Sequence, residues 1–143
     1  MSEYLKLDNQ LCFPLYALSR QITNIYRPML DELALTYPQY LVMMVIWEEK
    51  TVSVKHLGER LFLDSGTLTP LLKRMEASGL VRRERSTEDE RLVNIVITEK
   101  GKQLETRAES IPEHIKCQIK MQDEEIGFLR DYLKKIFFNI NHK

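Results

Sequence analysis

Cys12 and Cys117 are the two cysteines of the chain, and thiol chemistry is the first possibility they raise. A free cysteine between Leu11 and Phe13 is ordinarily a small buried hydrophobe. Two local features oppose that reading for Cys12. It falls in the first turn of an expected helix, where the N-terminal partial charge favours thiolate over thiol. Tyr16 follows one helical turn later and can bring its hydroxyl near the sulfur. Cys117 stands among Ile111, Ile115 and Ile119, a few residues beyond Pro112, where a structural role is an open alternative.

A second constellation suits nucleic acid. From Phe62 to Glu76 the chain reads as a short polar turn opening onto an amphipathic helix over 65–78. Ser65, Thr67 and Thr69 occupy its first turns, Lys73 and Arg74 follow toward its end, and Arg82-Arg83-Glu84-Arg85 comes shortly after. Hydroxyls at a helix N-terminus can reach base edges and phosphates, exposed N–H groups favour phosphate, and arginines can hold the flanking backbone. A helix inserted in the DNA major groove needs this equipment; a solvated basic surface is the plainer alternative.

Other chemistries lack their residues. No GxGxxG, GxxxxGK, CxxC or HExxH is present. His56, His114 and His142 are scattered, so neither a metal site nor a cofactor is expected. An enzyme would have to use Cys12 itself, as a thiol peroxidase does, and no threonine–arginine constellation surrounds it in sequence. The expectation is a protein that is not an enzyme.

Composition narrows the class further. The 143 residues suit a single domain over 1–143, and 43% hydrophobic with 29% charged residues is the balance of a globular protein. The start lacks a basic segment followed by an apolar run, and the longest apolar run, Tyr40 to Trp47, falls short of a membrane span. A cytoplasmic protein with reduced thiols and no membrane partner is therefore expected. Formal net charge is zero, but its placement is uneven. Residues 1–49 hold three Lys/Arg against six Asp/Glu, whereas residues 50–85 hold eight against four. The positive excess falls on the segment already suspected of meeting DNA.

Particular elements must hold these groups. Residues 8–34 predict a long helix capped by Asp8 or Asn9, with Leu11, Leu15, Leu18, Ile22, Ile25, Met29 and Leu33 at helical spacing. Pro14 fits its first turn, and Pro28 is expected to bend it or end its regular part. Thr36 or Tyr37 caps a helix of about 38–49 that opens with Pro38; apolar nearly all round, it should be buried. Ser53 caps a short helix, and a turn at 62–64 leads into the helix of 65–78, which ends at Gly79. Two helices so joined make a helix-turn-helix. Residues 80–85 and 92–98 predict strands around a charged tip, which adds a wing.

Two last helices are expected at roughly 99–121 and 123–140, in a stretch interrupted by Pro112 and Gly127. The second carries Ile126, Leu129, Leu133, Ile136, Phe137 and Ile140 along one face. A winged helix needs neither that stripe nor the long first helix to fold, so both are expected to pair with each other and with a second chain. The expected fold is mainly α with a small β-hairpin wing: a winged helix-turn-helix over 36–98 between long dimerisation helices at 1–35 and 99–143.

This order of elements resembles the MarR family of dimeric winged-helix regulators. The tip Arg85-Ser86-Thr87-Glu88-Asp89-Glu90-Arg91 carries that family's Asp-x-Arg signature as Asp89 and Arg91. Three segments are similar to the family's organic-hydroperoxide-sensing repressors, and related staphylococcal regulators share them. They are Asn9 to Phe13, Thr36 to Tyr40 and Leu63 to Met75.

The resemblance implies a homodimeric transcription regulator, a repressor, that binds double-stranded operator DNA and responds to organic hydroperoxide. It marks Cys12 as the sensing thiol, Tyr16, Tyr26 and Tyr37 as tyrosines around it, and Cys117 as a resolving cysteine that forms a disulfide across the dimer. It also implies that the 65–78 helix meets the major groove through Ser65, Thr67, Thr69, Lys73 and Arg74, with Arg85 nearby. Arg91, held by Asp89, is then expected in the minor groove. Tyr26 lies fourteen residues beyond Cys12, about 21 Å along a continuous helix, so it can meet the sulfur only from the other subunit. The rival reading is a regulator that binds a small phenolic ligand without redox chemistry.

Overall fold

Side-chain caps and turns divide the chain, and the computed structural model describes residues 2–142. Two 3-10 turns, Glu3–Leu5 and Leu7–Asn9, precede α1 (Cys12–Glu32) and α2 (Tyr37–Glu49). Then come β1 (Thr51–Ser53), α3 (Val54–Leu61), α4 (Ser65–Ala77), β2 (Val81–Arg85) and β3 (Val93–Ile97). Three helices follow: α5 (Glu99–Ala108), α6 (Ile111–Ile119) and α7 (Asp123–Asn141). Contacts group the chain into two compact units, Met1–Ile111 and Pro112–Lys143.

In the first unit, α1 starts later than its apolar spacing suggests. Asp8 and Asn9 do not cap it, because they belong to the second 3-10 turn. The neighbouring amides close those turns: Asn9 Nδ2 donates to the Glu3 carbonyl and Gln10 Nε2 to the Tyr4 and Lys6 carbonyls. Leu11 stands at the cap position with no side-chain bond, so Cys12 opens a helix whose leading N–H groups lack a side-chain acceptor. Pro28 does not end α1, which runs on to Glu32. Its missing N–H frees the carbonyl of Asn24, and both residues are exposed, where water can take up the freed acceptor.

Of the two cap candidates, Thr36 is the one used, and it forms a capping box with Gln39 at α2. Thr36 Oγ1 accepts from Gln39 N at 3.3 Å, and Gln39 Oε1 accepts from Thr36 N at 3.0 Å. As the all-round apolar surface requires, Tyr40, Val42, Met43, Val45, Ile46 and Trp47 are buried. Trp47 donates from Nε1 to the Gly101 carbonyl at 2.9 Å, fastening α5 to α2. Gly101 must lack a side chain there, because a Cβ would collide with the Leu80 carbonyl.

The winged unit forms as expected, with one strand more than the sequence suggested. Ser53 Oγ caps α3 through His56 N, and Asp64 Oδ1 caps α4 through Thr67 N at 2.7 Å. The intervening turn passes through Phe62 in the left-handed region, φ 56°. β3 is the centre of an antiparallel sheet ordered β1-β3-β2, with Ile95 opposite both Val52 and Arg83. Leu57, Leu68, Leu72, Met75, Val81 and Ile95 fill the space between sheet and helices.

The stretch expected as one helix over 99–121 is broken: α5 ends at Ala108 and α6 begins at Ile111. Pro112 falls in the first turn of α6, where its missing N–H leaves no internal bond unmade. In the second unit, Gly127 does not interrupt α7, which is continuous to Asn141. Gln122 and Glu125 form its capping box, and Lys116 Nζ lies 2.6 Å from Asp123 Oδ1, tying α6 to α7. No residue of α7 is buried, although Leu129, Leu133, Phe137 and Ile140 are apolar. No helix among the described residues is long and apolar enough to cross a membrane.

Candidate DNA interface and thiol site

Helix α4 presents two distinct faces. Leu68, Leu71, Leu72 and Met75 are buried, while Ser65, Thr67, Lys73 and Arg74 are exposed and Thr69 is half-buried. Neither Lys73 nor Arg74 makes a side-chain bond or ion pair among the described residues. Asp64 is held below the usual carboxylate range by hydrogen bonds from the Thr67 side chain, then from the Thr67 backbone.

At the wing, Asp89 organises Arg91. Oδ1 accepts from Arg91 N at 3.0 Å and from Nε at 3.2 Å, and Oδ2 accepts from Nη2 at 3.4 Å. The Arg91 side chain and then its backbone N–H hold the Asp89 carboxyl below its ordinary range. The Arg91 side chain remains 90% exposed, so it is aimed without being covered. Arg85 donates from Nη1 to the Glu90 carbonyl at 3.1 Å, which bolts the base of the tip. An Arg91→Ala chain is expected to bind duplex DNA about tenfold more weakly with its helical circular dichroism intact; unchanged affinity would reject Arg91 as a DNA contact.

Both sulfurs are exposed in the single chain. Cys12 is the first residue of the uncapped α1. Among the described residues, no hydrogen bond joins Tyr16 to Cys12; the Tyr16 ring instead carries the Arg20 guanidinium 5.4 Å from its centroid.

Tyr26 and Tyr37 do come together, with ring centroids 4.9 Å apart where α1 packs on α2. Tyr40 completes the group at 5.7 Å from Tyr26 and 6.3 Å from Tyr37. It is one helical turn beyond Tyr37, which is the sequence signal that could have placed it. Burial, then the neighbouring Tyr37 and Tyr40, push the Tyr26 phenol up to about 12. Burial raises Tyr37 as well, so both hydroxyls stay protonated donors at neutral pH. Cys12 and Tyr26 share the continuous α1, and one chain holds them at opposite ends of about 21 Å.

The family described as transcriptional regulator SarA/Rot matches residues 24–107. The chain is 49% identical to the organic hydroperoxide resistance transcriptional regulator of Bacillus subtilis (strain 168), over 99% of this chain and 96% of that protein. Among solved structures it is similar to AbfR, a protein of Staphylococcus epidermidis. Reduced AbfR bound to DNA is 34% identical, with a TM-score of 0.76 over 99% of this chain and all of the other. Disulfide-formed AbfR is 38% identical, with a TM-score of 0.67 over 94% of this chain and 95% of the other.

Proposed function

The chain belongs to the MarR family of winged-helix regulators, and on that basis we propose that it is a redox-responsive repressor. When reduced it binds operator DNA as a homodimer in the cytoplasm; when an organic hydroperoxide oxidises Cys12 it lets go. The observation that carries this reading is the exposed Cys12 thiol at the uncapped start of α1, in a chain that also presents a DNA-reading helix and wing. Its likeness to an organic hydroperoxide resistance transcriptional regulator, to reduced AbfR bound to DNA and to disulfide-formed AbfR supports it.

The dimer is supported by the apolar side chains that α1 and α7 leave uncovered, among them Phe13, Leu15 and Leu18 on α1 and Phe128, Leu133 and Phe138 on α7. A second copy is the natural cover for surfaces of that extent. Dimer symmetry presents two α4 helices to a near-palindromic operator with half-sites about one helical turn apart. Ser65, Thr69, Lys73 and Arg74 face the major groove, and Arg91 enters the minor groove, which favours narrow A·T-rich flanks.

Oxidation proceeds in two steps. The Cys12 thiolate attacks the hydroperoxide: an S–O bond forms, the O–O bond breaks, and the alcohol leaves, so sulfur is oxidised to sulfenic acid as peroxide is reduced. The thiolate of Cys117 of the partner subunit then attacks that sulfur; the S–S bond forms and water leaves after protonation. Tyr26, unable to reach Cys12 in its own chain, approaches it from across the dimer together with Tyr37. On a non-reducing gel, one equivalent of cumene hydroperoxide per subunit is expected to give a covalent dimer that dithiothreitol removes and that Cys117→Ser abolishes. A covalent dimer persisting in Cys117→Ser would overturn the assignment of Cys117.

A further inference from the structure

The small sheet has two faces, and they treat their cations differently. Side chains alternate along β2, so Arg82 stands on one face and Arg83 on the other. On the Arg82 side, a cleft of about 530 Å3 is bordered by Lys50, Arg82 and Lys102, and each has an acidic partner. Lys50 Nζ is 3.4 Å from Glu105 Oε2, Arg82 Nε 3.4 Å from Glu84 Oε1, and Lys102 Nζ 3.9 Å from Glu99 Oε2.

The opposite side is left positive. A cleft of about 220 Å3 runs between α3, α4 and the wing, lined by Lys55, Thr69, Leu72, Arg83, Arg91 and Val93. Among the described residues, neither the Lys55 ammonium nor the Arg83 guanidinium has a carboxylate or any hydrogen-bond acceptor. The chain has 21 acidic residues for its 21 basic ones, so a shortage of acids does not explain the gap. Two unpaired cations facing one cleft repel each other until an anion enters.

The position of the cleft identifies the anion. It separates α4, assigned to the major groove, from Arg91, assigned to the minor groove. In duplex DNA the boundary between adjacent grooves is a single sugar–phosphate strand. Resting on the DNA-binding reading above, we propose that Lys55 and Arg83 grip that strand. Their contacts go to phosphate, so they set affinity and register and carry no sequence information. Thr69 borders the same cleft at its major-groove edge.

The test measures binding of the full-length reduced protein to operator and to unrelated duplex DNA across a salt series. Lys55→Gln and Arg83→Gln keep much of each side-chain stem and remove the charge; Lys102→Gln removes a paired cation from the other face. Each of the first two is expected to make the plot of log K against log salt shallower by about 0.9 and to weaken both duplexes by the same factor, roughly threefold to tenfold. Lys102→Gln should keep the wild-type slope. An unchanged slope in Lys55→Gln and Arg83→Gln, beside a steep wild-type slope, would overturn the clamp. A loss confined to the operator would also overturn it, because that would mean base reading. Wild-type protein that binds no duplex at any salt would instead remove the DNA-binding reading on which the clamp stands.

Discussion

Cys12→Ser is expected to keep the operator affinity of the reduced protein within about twofold and to abolish its response to organic hydroperoxide. Serine replaces sulfur with a hydroxyl of similar shape that has no place on the thiol oxidation ladder. In the wild-type protein, oxidation should lower operator affinity by roughly 5- to 150-fold, the usual range for coupling between two sites. The path for that coupling is visible within the first compact unit. Helix α1 is continuous from Cys12 to Glu32, and the Glu32 carbonyl accepts from Arg107 Nη2 of α5 at 2.9 Å. The first turn of α5 in turn grips the end of α4: Lys100 Nζ donates to the Ser78 carbonyl and Thr98 Oγ1 to the Gly79 carbonyl, both at 2.6 Å. A shift of α1 is expected to pass along these bonds to α4 and, in a two-fold dimer, to change the half-site spacing. Anisotropy titrations of Cys12→Ser with and without cumene hydroperoxide read this directly. A peroxide response that survives the substitution would shift the account to a regulator that senses a small ligand without Cys12.

Gly58→Ala is expected to cost about 1–3 kcal/mol of stability and to impair operator binding in the protein that remains folded. Gly58 lies in α3, and a Cβ there would come within 2.6 Å of the Leu63 carbonyl oxygen and 3.3 Å of Leu68 Cδ1. The first neighbour is backbone in the turn between α3 and α4, so relief requires the turn itself to move. Leu63 N also donates to the Gly58 carbonyl at 3.0 Å, which makes this approach the hinge of the helix-turn-helix. Displacing it re-aims α4 even where the fold survives. At about 2–4 °C per kcal/mol, the melting temperature should fall measurably. Gly127→Ala is the comparison: the nearest group to its added Cβ is the Arg130 guanidinium at 3.7 Å. Removing a mid-helix glycine from α7 should stabilise or leave stability unchanged, by up to about 1 kcal/mol. Equal melting temperatures for wild type and Gly58→Ala would contradict the close approach.

What the sequence made legible was local. Thr36 and Ser53 each bond a backbone N–H three residues on, so residue type and spacing sufficed to place two helix starts. The apolar periodicity of α4 likewise separated its buried face from its hydroxyl and basic face. Contacts between distant residues were not legible. β1 is three residues long and exists only because β3, some forty positions later, pairs with it. The start of α1 was missed because Asn9 and Gln10 bond carbonyls four to six residues back, in a turn that leaves no periodic trace. The break before α6 was misplaced because Pro112 reads as an interruption within a helix when it in fact opens one.

The same limit applies to the candidate site. The basic cluster around Arg82 and Arg83 was evident, but which cations find an acid depends on the folded sheet: Arg82 meets Glu84 on its own face, and Lys50 meets Glu105 from a distant helix. Tyr26 and Tyr37 were each singled out by resemblance, whereas their tilted packing with Tyr40 follows from how α1 lies on α2.

The most direct test of the central claim is operator binding by fluorescence anisotropy on one sample taken through three states: reduced, treated with one equivalent of organic hydroperoxide per subunit, and re-reduced with dithiothreitol. Tight binding, loss and recovery are expected in that order, in step with oxidation of Cys12 measured by mass spectrometry. Unchanged binding in a sample whose Cys12 is fully oxidised would contradict the claim.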